Sequence, residues 1–109
     1  MNYEILFIAP FDKQLKRLAK KYPSLKSDFS SLLNSLQTEP RQGTAIGRSC
    51  YKIRLAIKSK GKGKSGGARV ITNVVITDDT IYLLAIYDKS DQETLSDQEL
   101  NELLGFVPE

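Results

Sequence analysis

The chain has 109 residues, with 16 basic and 13 acidic side chains, a formal net charge of +3 and 40% hydrophobic residues, the size and balance of one folded domain, 1–109, with a single modest core. Histidine is absent and Cys50 is the single cysteine, which excludes an internal disulfide, argues against a zinc or iron site, and points to a reducing cytoplasm. No apolar run approaches the roughly 18 residues needed to span a bilayer, and MNYEILFIAPFDKQLK lacks a basic segment ahead of its apolar stretch, so neither a membrane anchor nor a signal peptide is expected.

In chain order, Asn2 to Ile8 is a short strand candidate closed by Pro10. Phe11, Leu15, Leu18, Ala19 and Tyr22 then fall on one face of an amphipathic helix, with Lys13, Lys16, Arg17, Lys20 and Lys21 on the other. Pro23 interrupts, Ser24 is placed to cap a second helix, and Leu25, Phe29, Leu32, Leu33 and Leu36 repeat the spacing until Pro40. So short a join predicts an antiparallel helical hairpin.

From Tyr51 the period becomes two. Tyr51, Ile53, Leu55 and Ile57 alternate with Lys52, Arg54, Ala56 and Lys58, a strand with an apolar and a basic face. The segment 58–67, KSKGKGKSGG, holds four lysines and four glycines. Its GKS does not make a P-loop, because position 58 is Lys58 and the following ARVITNVVIT is β-branched rather than helical. Asp78-Asp79 is a tight turn, and IYLLAIY, Ile81 to Tyr87, reads as a central strand covered on both faces. Ser96 and Glu99 form a capping box, Leu95 and Leu100 a hydrophobic staple, and Leu100, Leu103 and Leu104 the buried stripe of a last helix that Gly105 ends. The expected fold is α+β: a helical hairpin on one face of a small, mostly antiparallel four-stranded sheet, with a short C-terminal helix.

Charge is polarised along the chain. Between Arg41 and Thr77 there are nine basic residues and no acidic one, whereas Asp88 to Glu109 holds seven acids and one base, Lys89. Such a basic region is the footprint of a polyanion partner. Pleating sharpens this. With Tyr51, Ile53 and Leu55 packed on the hairpin, Lys52 and Arg54 face away. Val70, Thr72, Val74 and Ile76 are the consistent core set of the next strand, leaving Arg69 and Asn73 opposite. In the strand after that, Tyr82, Leu84 and Ile86 read as core, with Tyr87 on the open side beside Ile81, Leu83 and Ala85. Lys52, Arg54, Arg69 and Tyr87 then converge on one open face, as phosphate handling with base stacking requires. The alternative is that Lys52 and Arg54 only solvate the strand and Arg69 pairs with an acid of the last helix.

The strings FDKQLKRLAKKYPSLKSDF, YKIRLAIKSKGKGKSGGARVIT and IYDKSDQETLS, with this element order, resemble the RelE/ParE superfamily of bacterial toxins, nearest to its RelE/HigB-type mRNA interferases. The resemblance implies the toxin of a type II toxin–antitoxin system: a metal-independent endoribonuclease without cofactor, acting on mRNA in the ribosome and held inactive by a cognate antitoxin protein. It implies catalytic positions at Lys52 and Arg54, at Arg69, and at the later cation Lys89. The family's C-terminal tyrosine has no counterpart, since Leu95 stands near there, and Tyr87 is the substitute, with Asp88 beside it.

The chemistry suits these residue types. Attack of a 2′-OH on the adjacent phosphate builds negative charge on the phosphoryl oxygens, and the departing 5′-oxygen needs a proton. Arg69 is expected to stabilise that charge and Arg54 to position the backbone. Without imidazole, the base is Lys52, Tyr87 or Asp88. Lys58, Lys60, Lys62 and Lys64 are expected to grip the nucleic-acid backbone from a loop left pliant by its glycines, or else to form a solvated turn, and Arg48 is a further nucleic-acid-binding candidate. A ParE-type inhibitor of DNA gyrase without nuclease activity, and a non-catalytic nucleic-acid-binding module, are the rival functions.

Overall fold

The computed structural model describes residues 3–92 and 94–108. Along the chain run β1 (Glu4–Phe7), α1 (Ala9–Lys21), α2 (Leu25–Thr38), β2 (Thr44–Gly47), β3 (Cys50–Leu55), a single-turn α3 (Gly63–Gly66), β4 (Ala68–Val75), β5 (Thr80–Asp88) and α4 (Asp97–Leu104). The expected strand start at Asn2 lies outside the described residues. The sheet has five strands in the order β1-β5-β4-β3-β2. β1 is parallel to β5 and every other neighbour is antiparallel. The fold is α+β as expected, with one strand more than the four read from sequence.

The additional strand is β2. It has four residues and lies mostly exposed on the sheet edge, so it carries no core-facing alternation. Its turn into β3 is made by Arg48 and Ser49, at φ 53° and 60°. Two consecutive positive φ values make the mirror-image hairpin turn, which usually advertises itself by Asn-Gly. Here the support is tertiary: Asn73 Nδ2 donates to the Arg48 carbonyl at 3.1 Å and the Val74 N–H to the Ser49 carbonyl at 2.9 Å.

The hairpin forms where its apolar spacing predicts. α1 begins at Ala9 with Pro10 in its first turn, where a missing N–H breaks no helical bond. Phe7, Phe11 and Phe29 stack with centroids 5.2, 5.7 and 5.5 Å apart, tying β1 to both helices. Ser24 does not cap α2 with its side chain; its hydroxyl serves Asp28 and Ser59 instead. α4 opens on the expected capping box, with Ser96 Oγ accepting from the Glu99 N–H at 3.1 Å and Glu99 Oε1 from the Ser96 N–H at 3.0 Å.

Pleating is as read in β3 and in β4 as far as Val74, but not in β5. A bulge between Ile71 and Thr72 pairs Ile71 with Ala85 and Thr72 with Leu83. The extra residue, Leu84, moves everything before it to the other face. Ile81 and Leu83 therefore lie opposite Val74 and Thr72 on the hairpin side, and Tyr82 opposite Asn73 on the other. Ile76, expected in the core, is 46% exposed, because the chain leaves β4 at Val75 for a 3-10 turn, Ile76–Asp78. The second sheet face is not open over β5 either. There α4 packs on the strand, and Ala85 and Tyr87 line a cleft with Leu95, Leu103 and Phe106.

Candidate nucleic-acid interface

The register places Arg54 opposite Arg69 and Arg69 opposite Tyr87. Residues directly opposite on neighbouring strands share a face, so the three form one row across β3, β4 and β5. Lys52 is on the same face, opposite Ile71. Four of the expected site residues are thus brought to one side of the sheet, but their environments differ sharply.

Arg54 is exposed and Lys52 half-buried. Arg69 is 4% exposed. It meets no acid of α4; its Nη1 donates to the carbonyls of Lys64 at 3.0 Å and Ala68 at 3.1 Å, and its Nη2 to that of Ser65 at 3.1 Å. Of its five N–H groups, two have no protein partner among the described residues. Arg69 is therefore first a brace that ties the lysine segment to β4, and only its spare donors can meet a ligand.

Tyr87 is 6% exposed, because α4 lies over it, so the expected open stacking platform is absent. Burial pushes its phenol up; nearby Arg69 opposes this and Glu99 adds to it. The hydroxyl has no hydrogen-bond partner among the described residues. A phenol whose pKa is raised keeps its proton at neutral pH, which argues against the base role and for a donor or structural one.

Asp88 is the residue that sequence reasoning undervalued. Its side chain is fully buried. Oδ1 accepts from Lys60 Nζ at 2.5 Å, from the Ser90 N–H at 2.9 Å and from Ser90 Oγ at 2.7 Å. Oδ2 accepts from the Tyr22 hydroxyl at 2.5 Å and lies 3.9 Å from Lys21 Nζ. Burial alone would raise its pKa, but the hydrogen bonds from Lys60, Tyr22 and Ser90 outweigh it and hold the carboxyl well below the usual range. So firmly held an anion is a poor base. No periodicity could reveal it; the only hint is an acid at the end of a wholly apolar strand.

The lysine segment is correspondingly less pliant than its composition implies. Lys58–Lys60 is a 3-10 turn docked on the hairpin junction. The Lys58 N–H donates to buried Asp28 at 3.0 Å, and the Ser59 N–H to Ser24 Oγ at 2.8 Å. Lys60, expected to grip nucleic acid, has a side chain only 10% exposed and spends its charge on Asp88. Lys58, Lys62 and Lys64 remain exposed. A cleft lined by Lys60, Lys62, Ser65, Gly66, Lys89 and Ser90 brings half-buried Lys89 beside Lys62. Arg48, exposed in the β2–β3 turn, is at the far end of β3, on the order of 20 Å from Arg54 at 3.3 Å per residue. It is not part of this cluster.

Among the described residues no group of His, Cys, Asp or Glu is arranged to hold a metal ion, and no helix is long and apolar enough to cross a membrane. Burial also pushes the Cys50 thiol up, against weaker opposing effects of Asn73 and Arg48, which leaves it an unreactive packing residue.

Comparison with solved structures finds the same fold. A double arginine-to-alanine mutant of the E. coli toxin RelE in the free state matches with a TM-score of 0.63 at 17% identity, over 99% of this chain and 100% of that one. The toxin–antitoxin complex RelBE2 from Mycobacterium tuberculosis matches with a TM-score of 0.60 at 17% identity, over 84% of this chain and 95% of that one. The E. coli RelE mutant in complex with a peptide of the antitoxin RelB matches at 0.52 and 19% identity, over 94% of each. The family model described as the RelE toxin of the RelE/RelB toxin–antitoxin system matches residues 11–106. With the family pattern running from α1 to just beyond α4, the chain belongs to the RelE toxin family.

Proposed function

We propose that this toxin is a metal-independent endoribonuclease that cleaves mRNA on the ribosome in the cytoplasm, and that a cognate antitoxin protein silences it. The observation that carries the reading is the row Arg54–Arg69–Tyr87 with Lys52 on the same face, continued by the lysine cleft. In the reaction, a 2′-oxygen attacks the adjacent phosphorus while the bond to the 5′-oxygen breaks. The products are a 2′,3′-cyclic phosphate and a 5′-hydroxyl. Arg54 and the spare donors of Arg69 hold the phosphoryl oxygens as charge builds. Lys52 is the group on this face assigned to take the 2′-OH proton. Lys89 is assigned to the leaving oxygen, and Lys58, Lys62 and Lys64 to the flanking backbone. Tyr87 and Asp88 are given no base role.

The test is expression in bacteria with two readouts taken together. Growth arrest with new 5′-hydroxyl ends within translated transcripts is the expected result. Arrest with intact transcripts and inhibited supercoiling would assign the gyrase reading instead, and no arrest would favour a non-catalytic binding module.

A further inference from the structure

The lysine cleft has two walls from distant parts of the chain. One is the segment after β3, carrying Lys60 and Lys62; the other is the turn after β5, carrying Lys89 and Ser90. Asp88 is the main link between them, beside a direct hydrogen bond from Lys60 Nζ to Ser90 Oγ at 3.2 Å. Asp88 Oδ1 accepts from Lys60 Nζ on the first wall and from the Ser90 N–H and Oγ on the second. Oδ2 anchors the same carboxylate to the end of α1 through Tyr22. At the floor of the cleft, the Lys89 N–H donates to the Gly67 carbonyl at 3.0 Å.

We propose that Asp88 is a positioning residue for RNA binding: its buried carboxylate sets the separation of the two cleft walls, so that Lys62 and Lys89 engage one phosphodiester backbone together. This rests on the reading of the chain as an RNA-cleaving toxin. Stability alone is a weak reason for such a group. Burying a carboxylate costs several kcal/mol, and apolar replacements of buried ion pairs are often neutral or stabilising. Geometry is a better reason. Two flexible lysines bind a polyanion more tightly when the backbone that carries them is already in place. Lys60 acts here as a strut, its charge cancelled by Asp88, and the cations of the cleft left for RNA are Lys62 and Lys89.

The test is a double-mutant cycle between Asp88 and Lys62, which share no hydrogen bond among the described residues. The probe is a short 2′-O-methylated single-stranded RNA, which binds but cannot be cut. Removing one phosphate contact from single-stranded RNA weakens binding about fivefold in 0.1 M salt, and Lys62→Ala is expected to do this in the parent. In Asp88→Asn, measured well below its melting temperature, the same substitution should cost less than about twofold, because Lys62 is no longer held opposite Lys89. A fivefold loss in both backgrounds would overturn the positioning role. So would tighter RNA binding by Asp88→Asn with Lys62 unaffected, which is what freeing the Lys60 charge alone produces. If Asp88→Asn does not fold, Tyr22→Phe, which removes one bond to the same carboxylate from outside the cleft, should shrink the Lys62 effect in the same direction. A parent that binds no RNA, or is indifferent to Lys62→Ala, would remove the underlying reading and this role with it.

Discussion

Arg69→Ala and Arg54→Ala remove the same guanidinium from adjacent positions in one row, yet their consequences should separate. Arg69 is 4% exposed and makes three hydrogen bonds to main-chain carbonyls. Bonds from a charged donor are worth about 1.5–3 kcal/mol each, but they are not additive. The Lys64 and Ser65 carbonyls lie on an exposed turn and recover water. A net loss of about 3 kcal/mol is therefore expected, or roughly 12–24 °C in melting temperature for a domain near this size. Arg54 is exposed and its side chain makes no hydrogen bond or ion pair among the described residues, so its removal should stay within about 0.5 kcal/mol. Thermal melts followed by circular dichroism, with single-turnover cleavage measured below both midpoints, separate the two effects. Arg54→Ala should lose cleavage with its fold intact, while Arg69→Ala should lose both. An unchanged midpoint for Arg69→Ala would refute the bracing of the lysine segment.

Other consequences are smaller but as definite. The Asp88 pKa is depressed in the folded state, so its stabilisation is present above the ordinary carboxylate range, near pH 4, and is lost as pH falls below it. Asp88→Asn should flatten that acid limb of stability against pH, and an unchanged limb would contradict the network. Tyr87→Phe deletes a buried hydroxyl without a partner and should leave stability equal or raised by up to about 1 kcal/mol; a loss of about 2 kcal/mol by denaturant titration would mean that the hydroxyl is bonded. Ser49→Gly relieves a left-handed residue at φ 60°, worth about 1–2 kcal/mol, against about 0.5–1 kcal/mol for the added chain freedom of glycine, so a net gain of up to about 1 kcal/mol is expected. A destabilised variant would argue against that turn.

Much of the fold was legible because periodicity is a strong signal where one face is buried. The hairpin spacing of Phe11, Leu18, Leu25 and Phe29 and the capping box at Ser96 predict elements that form nearly as drawn, and alternation in β3 and β4 puts Lys52, Arg54 and Arg69 on a shared face. Signals that depend on partners distant in sequence were not legible. β2 is too short and exposed to alternate, and its turn is held by Asn73 from another strand. The bulge at Ile71 and Thr72 moved Ile81, Leu83 and Tyr82 to the faces opposite those expected. α4 covers Tyr87, which a count along one strand cannot foresee. Above all, a lysine-rich glycine segment reads as free and cationic, whereas Asp28, Asp88 and Arg69 pin it at three places and take Lys60 out of solution.

The most direct measurement compares Arg54→Ala with Arg48→Ala in single-turnover cleavage of mRNA on programmed ribosomes. Both substitutions remove one exposed positive charge from β3 or its turn, but only Arg54 lies in the row with Arg69. Arg54→Ala should lose about 100-fold or more, and Arg48→Ala should change within about fivefold, the worth of one backbone phosphate contact. Equal losses would mean that net charge, not a cutting centre on this sheet face, is what the ribosome and its message meet.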